Sequence, residues 1–418
     1  MTAATSVETA ANPDRNALRE PQFTRYLAGS TLSEFGDMIW FVALAWSAVH
    51  LASPAVAGVL LMLSSIPRLA LLIFGGVIAD RFDIRRLMIG SDCLRTVLTL
   101  GAAGIALVTP GIPLLVVLAL IFGTVDAVFL PSAGAMRPRL LRPGQYKSGS
   151  VAVEMTSRLA LSIGAPVGGI VVALGHLPLA LLVDGLTFAV SVATLVTVRP
   201  RPLPPPAPTA TRHQDRPGYL TDLRQGLGFL ARHPMLGPLT IVNLLANLGF
   251  VGPMNIGLAE LSAHRGWGAA GIGVLLTGFG IGGGASALGM SWVHIRRGAG
   301  ISIALLGAVQ GAAVLSIGLA PSLWVGALAS GVAGLCTGPM AVISTVLTQV
   351  ATPDELRGRV SSFTTMTTYG AVLVASSSMG VAIGAVGLTG AYALSGALEA
   401  AGLLMLVFPG LRRARIES

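Results

Sequence analysis

The chain has 418 residues, of which 53% are hydrophobic and only 11% charged, with a mean hydropathy of +0.77. Soluble domains carry about 25% charged residues, so the composition excludes a water-soluble enzyme, a nucleic-acid binder and a disordered scaffold. The net charge of +9 therefore belongs to a membrane face, as the distribution of arginines shows below. Cys93 and Cys336 both lie in apolar runs and offer neither a disulfide framework nor a C-x-x-C site. The six histidines never pair at zinc spacing, so no metal and no cofactor is expected.

A membrane-spanning helix needs roughly 20 mostly apolar residues. Residues 1–25 form a polar tail with Glu8, Asp14 and Glu20 and lack the apolar core of a signal peptide. Twelve apolar runs then follow, near 26–49, 55–79, 88–108, 113–135, 149–173, 177–198, 236–258, 268–292, 300–320, 323–347, 361–384 and 388–409. Turn chemistry such as Thr109-Pro110-Gly111 separates them. If alternate connections starting with the N-terminal tail face the cytoplasm, that side holds 23 of the 27 basic residues. The opposite connections hold only Arg265, and Arg68, Arg95 and Arg158 fall inside runs. Such a split predicts an even number of crossings with both termini cytoplasmic.

The one long polar stretch, 199–234, opens with Pro200, Pro202, Pro204, Pro205, Pro206 and Pro208 and continues as an amphipathic piece, Tyr219 to Arg232. It reads as a cytoplasmic linker dividing an N-terminal half, 26–198, from a C-terminal half, 235–410, with a short tail at 411–418. Local echoes at a shift near 210 suggest a duplication: Arg85 and Arg86 match Arg296 and Arg297, and Pro143 with Lys147 matches Pro353 with Arg357. The reading is an all-α membrane protein of two six-helix halves.

Three motifs carry a resemblance. Gly76-Val-Ile-Ala-Asp80-Arg81-Phe82-Asp83-Ile84-Arg85-Arg86 follows the second run, Thr352-Pro-Asp-Glu-Leu-Arg357-Gly-Arg359-Val follows the tenth, and Gly164-Ala-Pro166-Val-Gly168-Gly169 lies in the fifth. The first resembles the G-x-L-A-D-R-x-G-R-[RK] loop of the major facilitator superfamily, and its D-R-F-D spelling resembles the branch of enterobactin-type siderophore exporters and macrolide efflux proteins. The second is similar to that branch's corresponding loop, and the third resembles the antiporter motif G-P-x-x-G-G. Ile84 and Ala165 depart from the family pattern. The resemblance implies the major facilitator fold, a substrate site between the halves near the midplane, and a conformational latch built from Gly76, Asp80, Arg81, Arg85 and Arg86. The bland alternative for Arg85 and Arg86 is a solvated loop obeying the positive-inside rule. Gly164, Pro166, Gly168 and Gly169 would allow close helix approach and bending, which ordinary small-residue packing also explains.

No ATP motor is encoded, since the sole lysine, Lys147, follows Tyr146 rather than the glycine of a P-loop. A charge near the bilayer centre costs at least about 2.5–3.5 kcal/mol, so intramembrane acids are the first functional candidates. Glu34 and Asp37 share a helical face with Ser30 and Ser33 in the first run. Two acids that close cannot both remain comfortably ionised in a low dielectric, and a carboxyl that takes and releases a proton suits proton coupling. Arg68, beside Pro67, is the expected counter-charge; a static Arg–carboxylate pair is the alternative. Asp126 in the fourth run either meets substrate or serves the latch with Arg81 or Arg85. Asp92 and Arg95 are expected to pair with each other or with the latch, and Glu154 with Arg158 at i, i+4. Asp184 and Glu399 are lesser candidates.

The C-terminal half offers Asn243, Asn247 and Thr337 as uncharged cavity residues, with Gly252-Pro253 and Gly338-Pro339 as breaks that expose carbonyls. A cavity acidic on one wall and neutral on the other suits a bulky amphipathic compound, neutral or cationic. The sequence therefore points to a monomeric, proton-coupled exporter of an antibiotic, siderophore or similar natural product, with substrate, protons and the bilayer as its partners. The rivals are an uptake symporter for a small metabolite and a non-transporting membrane sensor. Arginine in place of nearly every lysine, with abundant Ala and Gly, points to a bacterial plasma membrane.

Overall fold

In the computed structural model, residues 16–81, 83–201, 227–290 and 298–414 are described. Within them, the side chains of residues 68, 71–81, 143, 147 and 290 and of several positions between 354 and 365 lie outside the description. The described residues are helical, with no strand among them. The long helices are α1 (Pro21–Leu51), α2 (Pro54–Arg81), α3 (Ile84–Val108), α4 (Ile112–Leu140) and α5 (Tyr146–Thr197). After the linker come α6 (Leu236–Gly252), α7 (Leu258–His264), α8 (Gly268–Met290), α9 (Ala299–Leu319), α10 (Leu323–Ala351) and α11 (Asp354–Ala400). A 3-10 stretch, Ala401–Val407, extends α11, and α12 (Pro409–Arg412) ends the described chain. Among the described residues nine helical stretches are long and apolar enough to cross a membrane, with α6 and α7 counted as one stretch, Leu236–His264.

Local chemistry sets the helix ends. Pro21 occupies the first turn of α1, where a missing N–H costs nothing. Asp83 caps α3 by accepting from the Arg86 N–H at 2.9 Å, and Ser322 caps α10 through Val325. Two helices are broken without ending. In α5 the backbone leaves helical geometry at Gly175 and at His176, where φ is 52°; α11 breaks at Gly387, φ 75°. The left-handed region favours glycine, which Gly387 satisfies and His176 does not. The sequence reading placed boundaries between runs at 173–177 and 384–388, and both breaks fall there.

The helices before the linker pack mainly on one another, through α1 with α5, α2 with α4 and α3 with α5. Those after it pair α6 with α11, α8 with α10, and α9 with both α10 and α11. Two seams join the groups, α5 against α8 and α2 against α11. Both seams depend on small residues. Gly169 packs on Ala270 and Gly273 on Pro166, while Gly58 lies against Ser377 and Gly380 against Ala55. The glycines of α8 also press against α10, Gly278 at Ala327 and Gly282 at Gly331. Small residues let helix backbones approach in a solvent that supplies no hydrophobic drive.

The buried apolar side chains divide by depth. One large cluster joins both groups at the end where α1 finishes, running from Ile39, Leu44 and Leu60 through Leu177 to Ile256, Leu261, Ile272 and Tyr392. At the arginine-rich end the clusters are separate. Phe23, Met88, Met136 and Leu195 form one within the first group, and Leu236, Ile303, Leu347 and Leu411 form another within the second. Among the described residues, buried apolar side chains join the two groups at one end and cluster separately at the other.

Candidate functional site

A charge cluster occupies the core of the first group. Arg95, on α3, is 1% exposed and ion-paired with Asp126 of α4, which is 18% exposed. Its guanidinium also lies 3.9 Å from Asp92, which is fully buried. The Ser191 hydroxyl of α5 donates to the other Asp92 oxygen at 2.6 Å. Three aromatic rings surround the cation, those of Phe129 at 5.0 Å, Phe188 at 5.1 Å and Phe122 at 6.0 Å. Asp37 of α1 and the buried Asp184 of α5 lie within electrostatic reach of Arg95. A Cβ on Gly36 would meet the Asp184 carboxylate, so Asp184 packs on α1 beside Asp37, and neither of its oxygens has a hydrogen-bond partner. Glu34, one turn before Asp37, is half-buried and accepts the Ser157 hydroxyl of α5 at 2.7 Å. Glu34 thus meets α5, and Asp37 lies within reach of the Arg95 cation. Arg68, the counter-charge expected from sequence, lies outside the described side chains.

The second group holds a cavity of about 300 Å³. Asn243 and Asn247 of α6 line it, facing Thr337, Ser344 and Thr348 of α10, with Gln310 of α9 at its inner end. Asn243 donates to the Ser344 hydroxyl at 2.5 Å, Asn247 to the Asn243 carbonyl at 2.8 Å, and Gln310 to the Thr337 hydroxyl at 2.8 Å. Thr364, Thr367 and Thr368 of α11 add hydroxyls, and Phe250 and Met340 add apolar surface. Among the described residues no charged side chain lines it. Three of the four cavity residues expected from sequence are here. Asp126 lies instead beside Arg95 in the first group. Gln310 escaped the sequence reading, although a lone glutamine in an apolar 20-residue run is a legible signal.

Residues 26–258 match the family described as the Major Facilitator Superfamily. The chain belongs to that superfamily. No curated protein matches it in sequence. Among solved structures, it is similar to the nucleoside transporter NupG (TM-score 0.72, 13% identity, 93% of this chain and 99% of that one). It is also similar to a POT family transporter crystallised with a thioalcohol-conjugated peptide (0.69, 13%, 93% and 96%). A third likeness is to a bacterial homologue of the iron transporter ferroportin in an inward-facing state (0.67, 17%, 94% and 98%). At these identities the likeness is one of fold, that of multi-pass membrane transporters rather than enzymes.

The superfamily motifs can now be located. The G-P-x-x-G-G-like string of α5 packs on two sides. Gly164 lies against Met38 and Phe35, Gly168 against Ile39 of α1, and Gly169 with Pro166 against α8. These residues form the axis along which α1, α5 and α8 meet. Arg85 donates its Nε to the Leu195 carbonyl at 3.2 Å and another nitrogen to the Val196 carbonyl. In this conformation it neutralises the C-terminal carbonyls of α5 within its own group, where the sequence reading expected a latch between halves. Arg86 is exposed, with its backbone N–H held by Asp83. The side chains of Gly76, Asp80 and Arg81 lie outside the description. The expected break at Gly338-Pro339 does not occur, since Pro339 sits inside an uninterrupted α10. At Gly252-Pro253 the chain takes a π turn, Pro253–Gly257, and the Pro253 carbonyl accepts the Tyr392 hydroxyl at 3.3 Å. The Glu154–Arg158 pair forms as expected, at 2.8 Å.

Proposed function

We propose that the protein is a proton-coupled exporter of amphipathic natural products, antibiotics or siderophores among them, that works by alternating access. The observation that carries this reading is the set of four carboxyl side chains, Asp37, Asp92, Asp126 and Asp184, gathered around Arg95, the one buried cation among the described residues. One guanidinium cannot balance four ionised acids in a low dielectric, so the cluster stores protons, and a change in its exposure moves them. In this reading Asp37 of α1 is the member that exchanges the proton, with Glu34 one turn away as relay.

The topology supports the same cycle. Counting α5 and α11 as two crossings each, divided at His176 and Gly387, supports twelve spans in two halves of six, at 26–198 and 235–410. Both termini and the linker then lie on the arginine-rich, cytoplasmic side of a bacterial plasma membrane. The end at which the two groups join becomes the outer end, and the conformation faces inward. A neutral wall of amides and hydroxyls, with Phe250 and Met340 beside it, suits an uncharged or cationic amphipathic compound better than a polyanion. Arg85 and Arg86, with Asp80 and Arg81, would engage as a latch when the inner end closes. The chain works as a monomer in this reading.

Expression in a drug-sensitive bacterium tests it. Tolerance to a panel of natural products should rise with the wild-type protein and fall back to the vector baseline with Asp37→Asn. Unchanged tolerance across the panel, with improved growth on a scarce nutrient instead, would favour an uptake symporter.

A further inference from the structure

The core of the first group is rebuilt in the second with its charges removed. Arg95 and Gln310 are 215 residues apart, as are Asp184 and Glu399. Arg95 reaches from α3 to Asp126 of α4; Gln310 reaches from α9 to Thr337 of α10. Asp184 packs against Gly36 of α1, and Glu399 packs against Gly249 of α6. Where the first group has a cation and its acid partner, the second has an amide and a hydroxyl. The acid alone is kept.

Glu399 is 1% exposed, and neither of its carboxyl oxygens has a hydrogen-bond partner. Its neighbours are Gly249 from α6, Gly311 from α9 and Cys336 from α10. Among the described residues Cys336 is the one titratable group beside it, and no charged group acts on it. Among the described residues a carboxylate there has neither a cation nor a donor, the least favourable setting for an ion in a protein. Gln310 and Thr337, which flank Gly311 and Cys336 in sequence, line the cavity, so Glu399 stands one layer behind the cavity wall.

The geometry points to Glu399 as the proton-binding position of the second half, holding a neutral acid while the cavity faces the arginine-rich side. When α6, α9 and α11 shift against one another at Gly249 and Gly311, cavity water reaches the carboxyl. The proton then passes to that water and the carboxylate remains on the helix. For its role in transport this inference rests on the proton-coupled reading above; the site itself does not.

Infrared difference spectroscopy on the purified full-length protein, stepped between acid and alkaline pH after growth on 13C-glutamate, tests the site without any substrate. The wild type should show a protonated-carboxyl band carrying the glutamate isotope shift. Glu399→Gln should remove that component, and Glu399→Asp, which keeps an acid, should move it into the unlabelled aspartate set. An isotope-shifted band unchanged in either variant would overturn the assignment. If the band is lost as expected yet a pH gradient drives no flux, the site stands and the coupled-transport reading fails.

Discussion

At the scale of single residues, Arg95 concentrates the energetics of the first half. Its guanidinium is buried among three aromatic rings, where a cation–π contact contributes about 0.5–2 kcal/mol, and it faces Asp92 and Asp126 directly. Removing one partner of a buried pair typically costs about 3–5 kcal/mol, because the other charge is left uncompensated. Arg95→Ala should therefore lower the melting temperature in detergent sharply, while Asp92→Asn, which keeps the Ser191 contact geometry, should lower it far less. An unaltered melting temperature in Arg95→Ala would mean that the acids need no cation. The sequence displayed the acids as intramembrane charges and offered Arg95 to Asp92, but it could not say that Asp126 meets the same cation. Arg95 on α3 meets Asp126 of α4, and Asp37 of α1 and Asp184 of α5 lie within its electrostatic reach. That choice depends on how the helices rotate against one another, a property of packing that no single run encodes.

At the scale of elements, apolar length made nearly all of the helices legible, and turn chemistry placed the breaks of α5 and α11 within a few residues. Proline was the less dependable guide. Pro253 opens a π turn, yet Pro339 is absorbed into α10, because neighbouring helices and hydroxyl side chains can supply what the missing N–H takes away. The start of α6 is set by a side chain instead. His233 Nδ1 accepts from the backbone N–H groups of Met235 at 3.3 Å and Leu236 at 3.2 Å. Only the neutral ring with that nitrogen unprotonated can do so, and burial pushes the His233 imidazole below its ordinary value of 6.5. The unfolded chain therefore binds the proton more readily than the folded one. The cap's contribution is complete above about pH 6.5, falls as the pH drops through the window just beneath it, and stays lost at lower pH. Caps contribute about 1 kcal/mol. Thermal melts should show His233→Ala less stable than wild type near pH 8 and nearly equal to it near pH 5; a constant difference at both pH values would reject the cap.

At the scale of the whole molecule, the duplication was visible in sequence only as loop echoes, Arg85-Arg86 with Arg296-Arg297. Its deeper trace is in the cores, where Arg95 and Asp184 recur as Gln310 and Glu399. That correspondence joins residues that share no chemistry except through position, so motif reading passes over it. The described residues thus hold a charged cluster in the first group and an uncharged cavity wall in the second, joined by glycine-rich seams and by an apolar cluster shared at one end. In the proposed cycle, protons held by buried carboxyl groups of both halves and substrate held at the cavity are exchanged as those seams move. The most direct measurement of that exchange uses proteoliposomes with an imposed pH gradient and a transported natural product. Substrate flux should follow the gradient and collapse it measurably, and Asp37→Asn should retain substrate binding but lose gradient-driven flux. Flux of equal rate with and without the gradient, undiminished in Asp37→Asn, would contradict the account.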